Sequence, residues 1–330
     1  MAPPRRPTSV DVARAAGVSR ATVSYVLNGN TEQSIPEVTR DRVRAAAKDL
    51  GYTPHAAASA LRAGQSRIVM LAIRDVPYGR NVGDMVDRLA ARVAELGLTL
   101  VVWQPAAGNS LTTLLGHLQP RAALSVLPFT AADSAVLDAA GVPHAAIEAY
   151  TGESGRDELI GALQVHHLAE RGHRILGHMG TQDAELAAFA QPRLWGVRRG
   201  CLELDLPAPR EAFVEVPPKG SIEGVMAVLQ AWRALPEPVT AVAAYNDYVG
   251  AACVSAAKRL GLRVPEDLAV IGLDDDPMSA LIDPPLSTVR INMAALADHL
   301  LARGLAAAGQ GEEPPPLPSS NVVVIRRGST

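Results

Sequence analysis

The sequence predicts two structural units in series. The first is a small all-α segment built on a helix-turn-helix; the second is an α/β body of parallel sheets with helices on both faces. Three observations lead there. Residues 1–66 read as short capped helices broken at glycines. From Arg67 onward, short apolar runs alternate with helical patterns. Charge also changes sign between the two parts: residues 1–66 hold nine basic and five acidic residues (+4), and residues 67–330 carry −7, within a formal total of −3. That total alone argues against a nucleic-acid partner, which needs a basic surface. Its division argues instead for a basic module joined to an acidic body.

The composition is that of an ordinary globular chain, 48% hydrophobic and 20% charged, which excludes a disordered or fibrous protein. Aromatic residues make up only 4%, so the core is expected to rest on Ala, Val and Leu. Cys201 and Cys253 give neither a disulfide framework nor a metal-ligand spacing, and read as small buried apolar residues. The N-terminal Met1-Ala2-Pro3-Pro4-Arg5-Arg6 has no apolar stretch after its arginines, unlike a signal peptide. No apolar run approaches the ~20 residues a bilayer requires. A soluble cytoplasmic protein with no membrane partner is expected.

Along the first unit, Thr8-Ser9-Val10-Asp11 has the form of a capping box. Val12, Ala13 and Ala16 supply an apolar stripe, Gly17 ends the helix in a left-handed turn, and Val18 plugs the core. Ser19 caps a second helix, Arg20 to Leu27, with Val23, Val26 and Leu27 facing inward. Two short helices about a glycine turn make a helix-turn-helix. Pro36 opens a third helix with Val38, Val43, Ala46, Ala47 and Leu50 inward, closed by Gly51. After Tyr52-Thr53-Pro54, a short alanine-rich helix runs from His55 to about Ala63.

In the second unit, Ile68 to Ile73 reads as a buried parallel strand. Further strands are expected at Leu98–Trp103, Leu124–Pro128, Pro143–Ile147, Ile175–Met179, Val239–Tyr245 and Leu268–Leu273. Helices are expected at Gly83–Leu96, Leu159–Arg171, Arg193–Leu204, Glu223–Ala234 and Asp247–Leu260. This βαβα alternation implies parallel sheets covered on both faces. An enzyme is not expected. No glycine-rich phosphate loop follows the first strand, neither cysteine sits in a nucleophile motif, and His166, His167, His173 and His178 suit packing or surface roles. No cofactor or metal is expected either.

Asp11-Val12-Ala13-Arg14-Ala15-Ala16-Gly17-Val18-Ser19, with Thr22-Val23-Ser24 and Val26-Leu27-Asn28-Gly29, resembles the headpiece of the lactose-repressor family of bacterial transcription regulators. Gly51-Tyr52-Thr53-Pro54 and Ala57-Ala58-Ser59-Ala60-Leu61 resemble its hinge. The likeness continues through Arg193-x-x-Gly196, Ala244-Tyr245-Asn246-Asp247, Ile271-Gly272-Leu273-Asp274-Asp275 and Pro285-Leu286-Ser287-Thr288-Val289. The resemblance implies a body similar to a periplasmic sugar-binding protein: two doubly wound parallel-sheet subdomains with an effector between them. By it, residues 1–54 form the headpiece, 55–66 the hinge and 67–330 the effector-binding and dimerisation domain. Its subdomains would span about 67–155 with 292–320, and about 156–291 with 321–330. No leucine-heptad tail follows, so the tetramer-forming extension of some relatives is not expected.

The resemblance further implies a homodimer on a palindromic double-stranded DNA operator, most simply a repressor, with the second helix in the major groove. Arg20 can pair with guanine and Ala21 can meet a thymine methyl; Tyr25 stands where many relatives carry arginine. Thr8, Ser19, Thr22, Ser24 and Asn28 suit phosphate contacts. Leu61 would wedge into the minor groove, beside Ala58 and Arg62. A small-molecule effector (a sugar, sugar phosphate or other metabolite) would meet Arg193, Asn246 and Asp274. An internal network of those three residues is the alternative. Arg80 and Lys219, with Arg74 and Asp75 nearby, point to an anionic ligand. A solute-binding protein of a transport system is the rival function; the missing export signal and the presence of residues 1–66 both oppose it.

Overall fold

The computed structural model describes residues 7–27, 34–52, 66–74, 80–105, 110–147, 155–215 and 219–330. The chain divides into two compact units, residues 1–67 and 68–330. The expected hinge helix, with Ala58, Leu61 and Arg62, lies outside the described residues, as do Asn28 and Asp75.

The first unit holds α1 (Ser9–Ala16), α2 (Arg20–Leu27) and α3 (Glu37–Asp49). The capping box forms: the Thr8 hydroxyl accepts from the Asp11 amide at 3.4 Å, and the Asp11 carboxylate accepts from the Thr8 amide at 2.8 Å. Gly17 takes φ +61°, a left-handed conformation that costs other residues energy. The reversed chain sends Val18 back over Ala13, whose carbonyl accepts from the Val18 amide at 3.0 Å. Ser19 Oγ then caps α2 by accepting from the Thr22 amide at 3.1 Å. Val12, Ala13, Ala16, Val23, Val26, Val43 and Ala47 close the core.

One position on α3 and its C-cap differ from expectation. Val38 is 78% exposed and Leu50 is also exposed. Val38 precedes Val43 by five residues, which at 3.6 residues per turn places it about 140° away around the helix. Ile35, ahead of the helix, packs on the core instead. At the other end Gly51 (φ +62°) turns the chain so that the Tyr52 amide donates to the Ala47 carbonyl at 2.8 Å. Tyr52 thereby takes the place that the stripe assigned to Leu50.

The second unit contains two four-stranded parallel sheets. The first has the order β2-β1-β3-β4, from β1 (Ile68–Ala72), β2 (Thr99–Trp103), β3 (Ala122–Ser125) and β4 (His144–Ala146). Alternate strand residues face opposite ways. Val69 and Leu71 pack under α4 (Arg80–Glu95) and α11 (Met293–Ala307). Met70 and Ala72 pack under α5 (Leu111–His117) and α6 (Ala131–Ala139). The second sheet has the order β6-β5-β7-β8, from β5 (Leu176–Thr181), β6 (Arg210–Val214), β7 (Ala241–Ala244) and β8 (Ala269–Ile271). One face carries α9 (Ile222–Arg233) and α10 (Asp247–Arg259). The other carries α7 (Arg156–Glu170) and α8 (Ala187–Glu203). An antiparallel ribbon of β9 (Thr288–Ile291) and β10 (Val322–Ile325) brackets α11. Among the described residues no helix is long and apolar enough to cross a membrane.

Helix and strand edges move for identifiable reasons. α4 begins at Arg80 and α7 at Arg156, ahead of the expected Gly83 and Leu159, because their polar first turns lack an apolar repeat. α8 begins at Ala187, not Arg193. A proline usually opens a helix, yet Pro192 lies inside this one and interrupts its hydrogen-bond ladder by one bond. β3 ends at Ser125, short of Pro128. β6 was not expected, since an edge strand starting Arg210-Glu211 lacks the apolar run of a buried strand. β9 was not expected as a strand either.

α7 and α8 cross in close backbone contact. A Cβ on Gly196 would run into the Glu158 carbonyl, and one on Gly161 into the Arg193 carbonyl. Gly196→Ala is therefore expected to force the helices apart and to destabilise the body by about 1–3 kcal/mol or more, read as a lower urea midpoint, while Gly224→Ala, at a site with open space, leaves the midpoint nearly unchanged.

Candidate functional site

In the first unit, Arg20, Ala21 and Tyr25 all lie exposed on the outer face of α2, Tyr25 at 38%. The inner face is taken by Val23 and Val26, so the outward set follows from helix periodicity alone. Thr8 and Ser19 use their hydroxyls locally: Thr8 Oγ1 donates to the Asp11 carboxylate at 2.7 Å, and Ser19 Oγ lies 2.9 Å from Thr22 Oγ1. Each marks a helix N-terminus, where free backbone N–H groups favour anions. Ser24 is half-buried.

In the second unit, the candidate effector residues gather where the second sheet's strands end. Arg193 comes from α8 and is buried. Its Nε donates to Asp157 Oδ1 of α7 at 2.7 Å and its Nη1 to the Tyr245 carbonyl at 3.3 Å. The guanidinium lies 4.7 Å from the centre of the Tyr245 ring and 5.7 Å from that of Phe189, both within cation–π range. Asn246 follows β7 and caps α10, its Oδ1 accepting from the Val249 amide at 3.0 Å. Asp274 follows β8. Burial pushes its carboxyl up to about 6, against the pull of Arg193.

The residues that hold this set in place were not singled out in the sequence. Gln164, seven residues after Asp157 on α7 and so on the same helix face, donates to the carbonyls of Ala244 and Gly272, each at 2.9 Å. One amide thus ties the ends of β7 and β8. Asp247 is completely buried. Its carboxylate accepts from the Thr288 hydroxyl at 2.6 Å and the Asp276 amide at 2.8 Å. Burial raises it to about 7, with those two hydrogen bonds opposing. Together with the Asp274 amide, which donates to the Val289 carbonyl at 2.9 Å, these bonds fix the turn Asp274-Asp275-Asp276. Asp274 and Asp275 sit there at φ +107° and +52°, a backbone region that residues with a Cβ rarely adopt. The available signal was a polar residue inside an apolar helical stretch, as at Gln164.

The two added cations behave differently from the expectation of an anionic ligand. Lys219 Nζ lies 2.7 Å from Asp183 Oδ2, and Arg80 Nε lies 3.4 Å from Asp84 Oδ2. Arg80 does line a cavity of about 670 Å³ with Asn81, Asp84, Asp87, Asp274, Asp275 and Arg290 among its walls, and Lys219 does not. Arg290 in turn is engaged by Asp275 at 2.6 Å. The cavity is rich in carboxylates and its cations are already paired. Arg74 is likewise paired, with Asp133 at 3.0 Å, and its guanidinium lies 5.9 Å from the Trp103 ring centre. Among the described residues no group of His, Cys, Asp and Glu is placed to hold a metal ion.

A helix-turn-helix unit followed by two parallel-sheet lobes with polar groups at their strand ends is the build of a DNA-binding regulator with a ligand-binding type of body. Residues 9–55 match the model for bacterial regulatory proteins of the lacI family, and residues 165–330 match a periplasmic binding protein-like domain. The transcriptional regulator CelR of Thermobifida fusca is 30% identical over 305 residues, covering 86% of this chain and 87% of that protein. The transcriptional repressor PurR of Vibrio cholerae is 28% identical over 298 residues, covering 86% of this chain and 85% of that protein. A lac repressor dimer bound to operator and the anti-inducer ONPF superposes with a TM-score of 0.79 at 25% identity, over 98% of this chain and 99% of that one. A CelR–cellobiose complex gives 0.64 at 25% identity, over 98% and 100%. The chain belongs to the lacI family of bacterial regulatory proteins and is a DNA-binding transcriptional regulator.

Two measurements check the energetics of the site. Arg193→Met removes the 2.7 Å partner of buried Asp157 and leaves it only the longer contact with Arg156 at 3.8 Å; the loss should cost up to about 3–5 kcal/mol by urea denaturation. A carboxyl held up to about 7 binds its proton more tightly folded than unfolded, so its contribution to stability is present at low pH and is lost as pH rises toward and past that value. Asp247→Asn, neutral throughout, should therefore gain thermal stability relative to wild type as pH rises from 5 to 8 (about three pH units spanning the carboxyl's transition); a constant difference in Tm across that range would contradict the burial argument.

Proposed function

We propose that this regulator is a repressor that binds a palindromic operator as a homodimer in the cytoplasm and is controlled by a small molecule held between the lobes. The observation that carries the effector reading is that Arg193 acts electrostatically on Asp274 and binds the carbonyl of Tyr245, the neighbour of Asn246, at the strand ends of one sheet. Ligands of open α/β sheets bind at those ends. The lac repressor structure, with operator and anti-inducer together, and the CelR complex, with cellobiose, support both halves of the reading.

The ligand we favour is neutral and rich in hydroxyls, such as a sugar, in place of an anion. Asp274 accepts from hydroxyls, and Arg80 and Lys219 are neutralised by Asp84 and Asp183. An effector alters operator affinity only as far as it binds the two conformations differently. The DNA reading places Arg20, Ala21 and Tyr25 on base edges, with the ends of α1 and α2 near Thr8, Ser19, Thr22 and Ser24 on phosphates. Asn28, and the hinge residues Ala58, Leu61 and Arg62 at the minor groove, complete the proposal. Two lobes of residues 68–330 would serve effector binding and dimerisation.

Two experiments test this. A thermal-shift screen of purified protein against sugars and sugar phosphates should show stabilisation by a neutral sugar, about 2.7 kcal/mol at a hundredfold excess over Kd; shifts confined to phosphorylated compounds would reverse the ligand class. In a randomised-operator selection, Arg20→Ala should lose about 1–3 kcal/mol and relax one base position in each half-site, and Tyr25→Arg should change the preferred base at one position. Unaltered preferences in both variants would remove α2 from the major groove.

A further inference from the structure

We infer that Asn81 is a positioning residue of the cleft: it ties the first lobe to Asp274, and a ligand that donates to that carboxylate must displace it. Asn81 Nδ2 donates to Asp274 Oδ1 at 3.0 Å, between residues 193 apart in the chain. Asn81 stands in the first turn of α4, on the first lobe. Asp274 stands in the turn after β8, on the second. The inference rests on the reading of this cleft as the effector site, but the tie itself does not.

Both ends of the bond are held rigidly. α4 is anchored through Val82, Met85, Leu89 and Val93, all buried in the first lobe's core. Asp274 is held at φ +107°, its amide bound to Val289 and the next residues bound to Thr288 and Asp247. Neither side chain can follow its partner far by local adjustment. A hydrogen bond weakens steeply once donor and acceptor separate beyond about 3.5 Å, so the bond fixes the gap between the lobes at this edge. A half-buried carboxylate without a donor is also costly. Asn81 meets that need, and a ligand hydroxyl at Asp274 Oδ1 would have to meet it in Asn81's place. Selection at this oxygen becomes a competition between the ligand and a side chain of the opposite lobe. The resident hydrogen-bond donor to this oxygen is a neutral amide; Arg193 acts on the carboxyl through its charge, and Arg80, nearby on Asn81's helix, pairs with Asp84.

The test uses the full-length protein with no added ligand. Spin labels on Leu96→Cys in the first lobe and Leu202→Cys in the second, both exposed positions, report the interlobe distance by pulsed dipolar spectroscopy; the native Cys201 and Cys253 are buried. The otherwise wild-type protein should give a narrow distribution. Asn81→Asp, which sets two carboxylates against each other, should lengthen and broaden it. Combining Asn81→Asp with Asp274→Asn restores an amide–carboxylate pair with the roles exchanged and should restore the narrow distribution. A distribution unmoved by Asn81→Asp overturns the inference. So does an exchanged pair that stays open while melting as cooperatively as wild type. If the exchange restores the distance but no sugar binds in the thermal-shift screen, the tie stands and the effector reading fails.

Discussion

The glycine-mediated crossing of α7 and α8 underlies the cleft side of this molecule. Gly161 and Gly196 let two helix backbones approach to a distance that no Cβ tolerates. That approach sets Asp157 against Arg193, and a buried ion pair is worth keeping only when its geometry is good and its remaining hydrogen-bonding groups are satisfied. Arg193 makes further contacts with the Tyr245 carbonyl and two aromatic faces, while Asp157 Oδ2 has no hydrogen-bond partner and lies 3.8 Å from Arg156. The same helix face of α7 carries Gln164, which joins the ends of β7 and β8. One helix thus orients the guanidinium and aligns the two strands whose ends carry Asn246 and Asp274.

The second constraint is electrostatic. Asp247, Asp274, Asp275 and Asp276 crowd the start of α10 and the turn after β8, and burial opposes the ionisation of Asp247 and Asp274. The fold answers with donors from several directions: the Thr288 hydroxyl, the Asp276 amide, Asn81, Arg290 and Arg327. Arg327 belongs to the last residues of the chain, which dock beside β8 through Ser329, whose carbonyl accepts from the Val270 amide at 2.8 Å. The acidic turn therefore depends on residues from both lobes and from the C-terminal segment. The Asn81 contact with Asp274 joins the two lobes at this turn.

The DNA-reading unit has a different logic. Its core is a handful of Val and Ala side chains, and the helix period leaves Arg20, Ala21 and Tyr25 outside. That surface was legible from spacing. Val38 and Leu50 lie outside that core because Val38 is rotated away from Val43 around the helix and because the turn at Gly51 lets Tyr52 displace Leu50. In the body, the order and type of the long elements were likewise legible, and the polar first turns, the interior proline of α8 and the edge strand β6 were not. These lack the local apolar repeat on which such a reading depends.

By itself, the sequence determined the helix-turn-helix, the βαβα succession and the family, because capping boxes, glycine turns and apolar periods act between residues close in the chain. Only the tertiary structure decided what the cleft residues touch. Asp157 meets Arg193 across 36 positions, Gln164 reaches Gly272 across 108, and Asn81 reaches Asp274 across 193. Partners so distant are chosen by how helices and sheets pack, and a lone Asp, Gln or Asn carries no local mark of the carbonyl or carboxylate it will meet. The opposing charges of the two parts were readable from composition, whereas the pairing of Arg80 with Asp84 and of Lys219 with Asp183 became visible only once packing had set those side chains side by side.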